Sequence, residues 1–240
     1  MEIKIFNDYN ELSQQAADAV INCIKQKPGA VICLASGNTP LETCNWIVKK
    51  AASEKADLSK CNFIGLDEWV GVPKENTGNC HFFFYNNLFT PLNISDAQIF
   101  LFDAMAENLA AQCTQMDDLI AAKGGIDLMI VGIGMNGHIG FNEPGVSFNL
   151  LSHVINLQKT TIEVGQKYFS TPTELAQGIT LGLGHLMNTK EVILIANGNK
   201  KSGVIRQAIK EPVTETLPAS ILQKHKNSFI FLDKEAASLL

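Results

Sequence analysis

The segment AVICLASGNTP, residues 30–40, passes from an apolar run into a glycine turn and then into an amphipathic pattern. Its apolar residues show no alternation with polar ones, which predicts a strand covered on both faces. Similar runs occur at residues 62–66, 127–131, 192–196 and 229–232. Each run therefore predicts a buried strand.

Helical patterns separate these predicted strands, at residues 10–26, 40–54, 106–122, 160–169 and 200–210. Strands that alternate with helices form crossovers in a mainly parallel sheet. We therefore predict an α/β fold, a three-layer Rossmann-like sandwich with a mainly parallel central sheet and helices on both faces. Because no linker or low-complexity tract divides the chain, residues 1–240 are expected to form a single domain.

The composition excludes several classes of protein. A hydrophobic share of 46% and a charged share of 18% are typical of a globular chain. The net charge is −5, and there is no basic run of the kind that neutralises nucleic-acid phosphates. No apolar run approaches the roughly 20 residues of a spanning helix, and the polar N-terminus shows no secretory signal. We expect a cytoplasmic protein that binds neither nucleic acid nor membrane.

The cysteines form no C-x-x-C pair and all lie in the first half of the chain, at Cys23, Cys33, Cys44, Cys61, Cys80 and Cys113. This spacing is not that of paired zinc ligands. We expect reduced thiols, several of them on buried faces, and no metal site.

Two stretches without periodicity, residues 67–80 and 134–152, are predicted to be long loops that follow strands. In open α/β sheets, ligands bind beyond the carboxyl ends of the strands. The chemistry is therefore expected in these loops and in those that follow residues 30–35 and 192–196.

The turn after the strand at residues 30–35 contains Ser36, Gly37 and Thr39. Gly37 permits a positive φ, the hydroxyl groups are donors, and the free N–H groups of a following helix attract phosphate. Pro40 suits the first helical position. The alternative is a tight strand-to-helix turn with Thr39 as the N-cap.

Two adjacent carboxylates, Asp67 and Glu68, open the second loop. They are compatible with a solvated turn. The preceding strand is apolar, however, so Asp67 is expected at the mouth of the ligand crevice. A partly desolvated carboxylate has a raised proton affinity and can remove a proton from carbon.

The third loop begins with GIGMNGHIGFNEPG, residues 132–145, whose glycines let the backbone pass close to a ligand. It presents His138 and Glu143, and an imidazole oriented by a carboxylate can take and return a proton near neutral pH. The alternative is a nucleotide-binding glycine loop with an incidental histidine. The nucleotide-binding pattern is G-x-G-x-x-G followed by a distant acidic residue, and the spacing here does not match that whole pattern.

Two lysines are candidate phosphate ligands. Lys201 follows the strand at residues 192–196 and opens a helix, where a cation opposes the helix dipole unless an anion is bound. Lys167 lies late in the predicted helix at residues 160–169. It is equally compatible with a solvated lysine near a helix C-terminus.

Together these loops resemble the glucosamine-6-phosphate deaminase family over essentially the whole chain. The resemblance rests on LASGNTP, LDEWVGVP, GIGMNGHIGFNEPG, GITLGLG and LPASIL. It implies a phosphorylated amino sugar as the small-molecule partner and an enzyme that needs no cofactor. LDEW, KGGIDLMIVGIGMNGH and GITLGLGHLMN are most similar to the galactosamine-6-phosphate branch.

The resemblance also implies roles for the acidic and basic groups. Asp67 matches the base that moves a proton between C2 and C1, and His138 matches the acid/base of ring opening. Glu143 is the implied partner of His138, and Asn136 is expected to orient the imidazole without sharing its charge. The implied reaction is aldose–ketose isomerisation with loss of ammonia. The substrate is then galactosamine 6-phosphate, giving tagatose 6-phosphate, or alternatively glucosamine 6-phosphate, giving fructose 6-phosphate.

The implied phosphate-binding positions are Ser36, Gly37, Asn38, Thr39 and Lys201. Lys167 stands where the family usually has Arg, so a bidentate phosphate contact is lost there. Asn38 replaces a frequent glycine and is expected to narrow the loop. Trp69, next to the base, is expected to shape one side of the pocket.

Regulated members of the family carry basic effector-site residues after the proline loop and an extended C-terminus. Residues 146–152 contain neither Arg nor Lys, so we expect no amino-sugar allostery and a monomer or small homo-oligomer. A 6-phosphogluconolactonase is the second enzymatic interpretation, since it shares this fold but uses no enolising carboxylate. A sugar-phosphate-binding regulator is the third, and it would require an added DNA-binding helix pair.

Overall fold

Seven strands form the central sheet of the computed structural model, which describes residues 1–240. Their order across the sheet is β1 (Glu2–Phe6), β10 (Ser228–Asp233), β9 (Glu191–Ala196), β6 (Leu128–Val131), β2 (Val31–Leu34), β3 (Asn62–Gly65) and β5 (Ile99–Phe100). Every neighbouring pair is parallel. The predicted mainly parallel sheet is therefore confirmed.

A second, antiparallel sheet lies beside the carboxyl ends of the central strands. It contains β4 (Asp67–Trp69), β8 (Gln177–Thr180) and β7 (His153–Asn156), in that order. No strand is predicted from the sequence in any of these segments, and residues 67–80 and 134–152 are predicted to be loops. The loop predicted at residues 67–80 is wrong at its two ends. Asp67–Trp69 forms a strand with a partner far away in the sequence, and Cys80 begins a helix.

Seven α-helices connect the strands: α1 (Tyr9–Gln26), α2 (Asn38–Ser53), α3 (Cys80–Phe84), α4 (Leu109–Ala122), α5 (Lys159–Gly165), α6 (Leu183–Asn188) and α7 (Ser202–Lys210). The helix predicted at residues 106–122 begins three residues later, where Asn108 caps it by accepting from the N–H of Ala111. The predicted helix 160–169 ends at Gly165 and continues as a 3₁₀ turn, Gln166–Tyr168. None of the helices is both long enough and apolar enough to span a bilayer.

The residues of β2 divide between two hydrophobic clusters, one on each face of the sheet. Val31 and Cys33 belong to a cluster of 32 buried residues, whereas Ile32 and Leu34 belong to a cluster of 28. A strand with alternate side chains in two cores has no polar face, which explains its unbroken apolar run. All six thiols of the chain are free, and Cys23 alone is not fully buried.

A buried carboxylate ties the amino ends of the central strands together. The Asp127 side chain, 5% exposed, accepts hydrogen bonds from the N–H of Val31 at 2.8 Å and from the ammonium groups of Lys27 and Lys190, each at 2.8 Å. Burial alone would raise the pKa of Asp127, but the bonds from Lys190, Lys27 and Val31 outweigh it and hold the pKa below its ordinary value. The charged form is therefore the one that stabilises the fold.

Replacement of this carboxylate should weaken the fold. We expect Asp127→Ala to lower the free energy of unfolding by about 3 kcal/mol, because it leaves the Val31 N–H without its acceptor and two ammonium groups without a partner. Denaturant unfolding measures this loss. The effect is present above pH 3.8, the ordinary pKa of the carboxyl, and decreases as the pH falls below it.

Glu163→Ala is the matched control, since it removes a carboxylate from the exposed Lys159–Glu163 pair. Its effect should stay within about 0.5 kcal/mol. Equal losses in the two variants would show that the buried network has no special weight.

Candidate active site

A cavity of about 460 Å³ opens beyond the carboxyl ends of the central strands. Nine of the ten predicted site residues line it: Ser36, Gly37, Asn38, Thr39, Asp67, Asn136, His138, Lys167 and Lys201. The tenth, Glu143, lies behind His138 and is 2% exposed. The structure therefore brings together residues that are separated by as much as two thirds of the chain.

The turn between β2 and α2 forms one end of the cavity. Gly37 is the N-cap of α2, with φ of 107°, and no side chain caps the helix start. N–H groups at the start of this 16-residue helix are thus available to hold an anion, although that of Asn38 contacts the Tyr168 hydroxyl and Pro40 has none. A Cβ on Gly37 would lie 3.0 Å from the hydroxyl oxygen of Tyr168, so both the backbone angle and the space require glycine.

Thr39 is not the N-cap, and Pro40 is not the first helical residue, so the alternative of a Thr39-capped turn and the expected place of Pro40 are both wrong. The helix begins at Asn38, because Gly37 adopts the positive φ that lets the chain enter the helix earlier. Thr39 instead donates its hydroxyl to Oδ1 of Asn197 at 3.0 Å. Pro40 lies in the first turn, where its missing N–H removes no helical bond.

Two lysines give this end of the cavity an uncompensated positive charge. Neither Lys167 nor Lys201 forms an ion pair with a carboxylate. Lys201 donates instead to the carbonyl of Ile133. Burial, followed by repulsion from Lys167, lowers the pKa of Lys201 to about 8. Burial, followed by repulsion from Lys200, lowers the pKa of Lys167. Cations that repel one another beside free helix N–H groups form a site for an anion.

Asp67 lies where the chain passes from β3 of the central sheet into β4 of the small sheet. Burial and, to a smaller extent, the negative charge of Glu68 raise the pKa of its carboxyl, a contact with the Cys80 thiol lowers it, and the net pKa is about 7. No cation pairs with it. A carboxylate with this proton affinity is suited to take a proton from carbon near neutral pH.

Glu68 is adjacent in sequence but has a different environment, because successive strand residues point to opposite faces. It is 2% exposed. It accepts hydrogen bonds from the N–H groups of Trp69, Cys80 and His81, at 2.8, 3.0 and 2.9 Å. Only Asp67 of this pair faces the cavity, and Glu68 secures the start of α3 behind it.

His138 is oriented through its Nδ1 atom. Thr161 Oγ1 lies 3.2 Å from Nδ1 and Glu143 Oε2 lies 3.5 Å from it. Burial alone would raise the pKa of Glu143, yet hydrogen bonds from His138 and Thr161 hold it below its usual value. No protein group bonds to Nε2, so this nitrogen is left for a ligand.

Asn136 contacts the partner of the imidazole rather than the ring itself. Its Nδ2 donates to Oε2 of Glu143 at 2.8 Å and to Oε1 of Gln158 at 3.1 Å. Its Oδ1 accepts from the backbone N–H of His138 at 3.3 Å. This neutral amide holds the loop and the carboxylate together, the geometry expected if it orients His138 without sharing charge.

A sequence model of the family described as glucosamine-6-phosphate isomerases/6-phosphogluconolactonase matches residues 7–231. The chain belongs to this family. Relatives named glucosamine-6-phosphate deaminase, from Clostridium botulinum (strain Loch Maree / Type A3) and Clostridium novyi (strain NT), are 38% and 39% identical to it. Each alignment covers 100% of this chain and 99% or more of the relative.

Solved structures of the glucosamine-6-phosphate isomerase/6-phosphogluconolactonase family have the same architecture. A monomeric glucosamine-6-phosphate deaminase superposes with a TM-score of 0.97 at 32% identity, and each chain covers 100% of the other. The 6-phosphogluconolactonase of Trypanosoma brucei has a TM-score of 0.79 at 20% identity, over 100% of this chain and 98% of its own. The second comparison shows a shared fold alone. Both the fold and the family recognised from the sequence are confirmed.

Four residues in or next to the cavity are not among the site residues predicted from the sequence: Thr161, Tyr168, Glu68 and Cys80. Thr161 and Tyr168 belong to the segment that begins at α5, and both line the cavity. Their helical periodicity carries no sign of the loop that they contact. The adjacent threonines at the start of α5 and the Lys167-Tyr168 pair after it were the only available signals.

Substitution of Lys201 should show whether this lysine binds phosphate directly. We expect Lys201→Met to weaken the binding of inorganic phosphate about tenfold, because a half-buried cation without a carboxylate partner is lost. Isothermal titration calorimetry measures this. Lys200→Met is the matched control: it removes a neighbouring but exposed charge and should change the affinity less than about twofold. Equal losses of affinity in the two variants would mean that Lys201 acts only through the overall positive charge of this region and does not contact the phosphate.

Proposed function

We propose that the chain catalyses the isomerisation and deamination of glucosamine 6-phosphate to fructose 6-phosphate and ammonia. One observation carries the proposal: Asp67, a carboxylate of raised proton affinity, and His138, an oriented imidazole, share one cavity with an anion cradle. A sugar phosphate offers a group to each of them. The cavity is large enough to enclose such a ligand.

The phosphate occupies the cradle in this proposal. It accepts from N–H groups at the start of α2 and from Lys201 and Lys167. The hydroxyl protons of Ser36 and Thr39 are engaged with Cys80 and Asn197, so these two residues border the phosphate and donate to it only when their hydroxyls turn. Binding at this end fixes the distance of the sugar carbons from the two catalytic groups, which supplies the orientation that proton transfer needs.

His138 opens the ring. Its free Nε2 takes the proton of the C1 hydroxyl and returns a proton to the ring oxygen, so the C1–ring-oxygen bond breaks and an aldehyde forms. Glu143, held by Asn136 and Gln158, favours the protonated imidazole that exists between the two transfers.

Asp67 then removes the proton from C2, which the new carbonyl has made acidic. The C2–H electron pair forms a C1–C2 double bond while the C1–oxygen π pair moves to the oxygen, which takes a proton, and an enolamine results. The proton is delivered to C1, and the amine electron pair forms a C2–nitrogen double bond. Water adds to this imine and ammonia leaves, which produces the 2-ketose phosphate. Each step is a proton transfer or a water addition, so no cofactor is needed.

The configuration of the substrate at C4 needs separate evidence, because the motifs LDEW, KGGIDLMIVGIGMNGH and GITLGLGHLMN are most similar to the galactosamine-6-phosphate branch. The relatives named above support glucosamine 6-phosphate instead. The Trp of LDEW, one basis of the branch assignment, is 5% exposed and packs its ring 4.5 Å from that of Phe141 and 5.9 Å from that of Phe169. This packing accounts for an aromatic side chain here, and Trp69 also lines the cavity, as expected from its place next to Asp67.

Lactone hydrolysis is the second candidate, since the family includes 6-phosphogluconolactonases. It would need His138 and the cradle but would leave Asp67 without a role. A raised pKa on an unpaired carboxylate inside the cavity favours the isomerase. Regulation and assembly stay predictions: no amino-sugar effector and a monomer or small homo-oligomer, which a monomeric relative of 32% identity supports.

A side-by-side ammonia assay tests the proposal. We expect release from glucosamine 6-phosphate with kcat/KM at least tenfold above that for galactosamine 6-phosphate. Because Asp67 must be ionised, kcat/KM should fall as the pH drops below about 7. Asp67→Asn should lower kcat about 10³-fold.

Lactonase activity on 6-phosphogluconolactone is the control reaction. Preference for galactosamine 6-phosphate would overturn the epimer assignment alone. Lactone hydrolysis without ammonia release, unaffected by Asp67→Asn, would overturn the function.

A further inference from the structure

The thiol of Cys80 lies between the anion cradle and the carboxylate of Asp67. Cys80 is the first residue of α3 and is 4% exposed. The Ser36 hydroxyl donates to its sulfur at 2.9 Å. The sulfur in turn lies 3.9 Å from Oδ1 of Asp67, within the range of a weak S–H···O bond. One side chain therefore contacts both a cradle hydroxyl and the carboxylate.

The backbone around Cys80 is held in place from two sides. Its N–H donates to Oε1 of Glu68 at 3.0 Å. Asn79 caps α3 by accepting from the N–H of His81 at 2.7 Å, and its own Nδ2 donates to the carbonyl of Val72 at 2.9 Å. The position of the thiol is thus set by this buried backbone network rather than by the side chains of Ser36 and Asp67.

The sulfur keeps its proton at neutral pH. Burial raises the pKa of the Cys80 thiol well above its ordinary value, and the charges of Glu68 and Asp67 raise it further. A protonated thiol can donate to Asp67 while its lone pairs accept from Ser36. It is the only hydrogen-bond donor that the protein offers to the Asp67 side chain.

We propose that Cys80 is a positioning residue that joins the anion cradle to Asp67 through a chain of two hydrogen bonds, Ser36 to Cys80 and Cys80 to Asp67. The proposal rests on the proposed function for its kinetic consequences. The first bond holds the Ser36 hydroxyl at the edge of the cradle with its proton directed at the sulfur, and the second sets the orientation and basicity of the carboxylate. Removal of the thiol leaves both without a partner.

Other titratable groups also face Asp67 and must be considered in any test. Glu68 adjoins it on β4, the Cys33 thiol on β2 is within its field, and the Tyr168 hydroxyl after α5 is within its field as well. The Cys80 thiol also interacts with the Glu68 carboxylate and with the Tyr168 hydroxyl, so a substitution at position 80 acts on these groups as well. A serine at position 80 keeps a donor in the same place, so the difference between the Ala and Ser variants reports on the loss of that donor.

The pH profiles of three variants test this role. In Cys80→Ala, the acid limb of kcat/KM should move upward by about half a pH unit, because a donor to the charged carboxylate is lost. Cys80→Ser retains a donor and an acceptor and should shift the limb less than half as far. Cys113→Ala, which deletes a buried thiol outside the cavity, should leave the limb in place.

Two results would overturn the proposal. One is an acid limb in Cys80→Ala that superimposes on that of the parent protein. The other is an equal shift in Cys80→Ala and Cys80→Ser, since only lost volume would then matter.

A titration that needs no turnover separates this proposal from the proposed function. In protein labelled with ¹³C at the Asp carboxyls, the resonance absent from Asp67→Asn identifies Asp67. Its midpoint should be about half a unit higher in Cys80→Ala than in the parent. An unchanged midpoint would overturn the role of Cys80 even if ammonia is released. A shifted midpoint would support it even if no amino sugar phosphate is a substrate.

Discussion

The carboxylate of Asp67 is partly removed from water at the point where the chain leaves the central sheet, and no cation compensates it. This constraint shapes the rest of the site. Burial raises its pKa to about 7, so it is a base at the pH where it is needed. The positive charges of the cavity, those of Lys167 and Lys201, lie at its other end and are available to a ligand. A site of this kind costs stability in exchange for reactivity.

The two ends of the central sheet show opposite treatments of buried charge. At the amino ends, Asp127 is met by two ammonium groups and a backbone N–H, and its charge supports the fold. At the carboxyl ends, Asp67 has only the weak contact with a thiol. An aspartate thus stabilises the fold at one end of the sheet and is available for chemistry at the other. The difference comes from the neighbouring groups, since the side chain is the same.

Much of this could be predicted from local pattern, and the limits have a physical cause. The strand at residues 30–35 was predictable because burial on both faces leaves a continuous apolar run. The sheet formed by β4, β7 and β8 was not, since its strands are short and pair over long sequence distances. His138 and Glu143 lie in one glycine-rich loop and could be paired from sequence. Thr161 could not, because nothing in a helical pattern records which loop packs against it.

Substrate carrying deuterium at C2 provides the most direct test that Asp67 and His138 act on one sugar in successive steps. NMR exchange spectroscopy would follow the interconversion of the glucosamine 6-phosphate anomers, and the C2 signal would follow the deuterium. In Asp67→Asn, we expect the anomers still to interconvert faster than in buffer while C2 keeps its deuterium. In His138→Ala, both processes should return to the buffer rate. Loss of deuterium from C2 at the parent rate in Asp67→Asn would contradict the account.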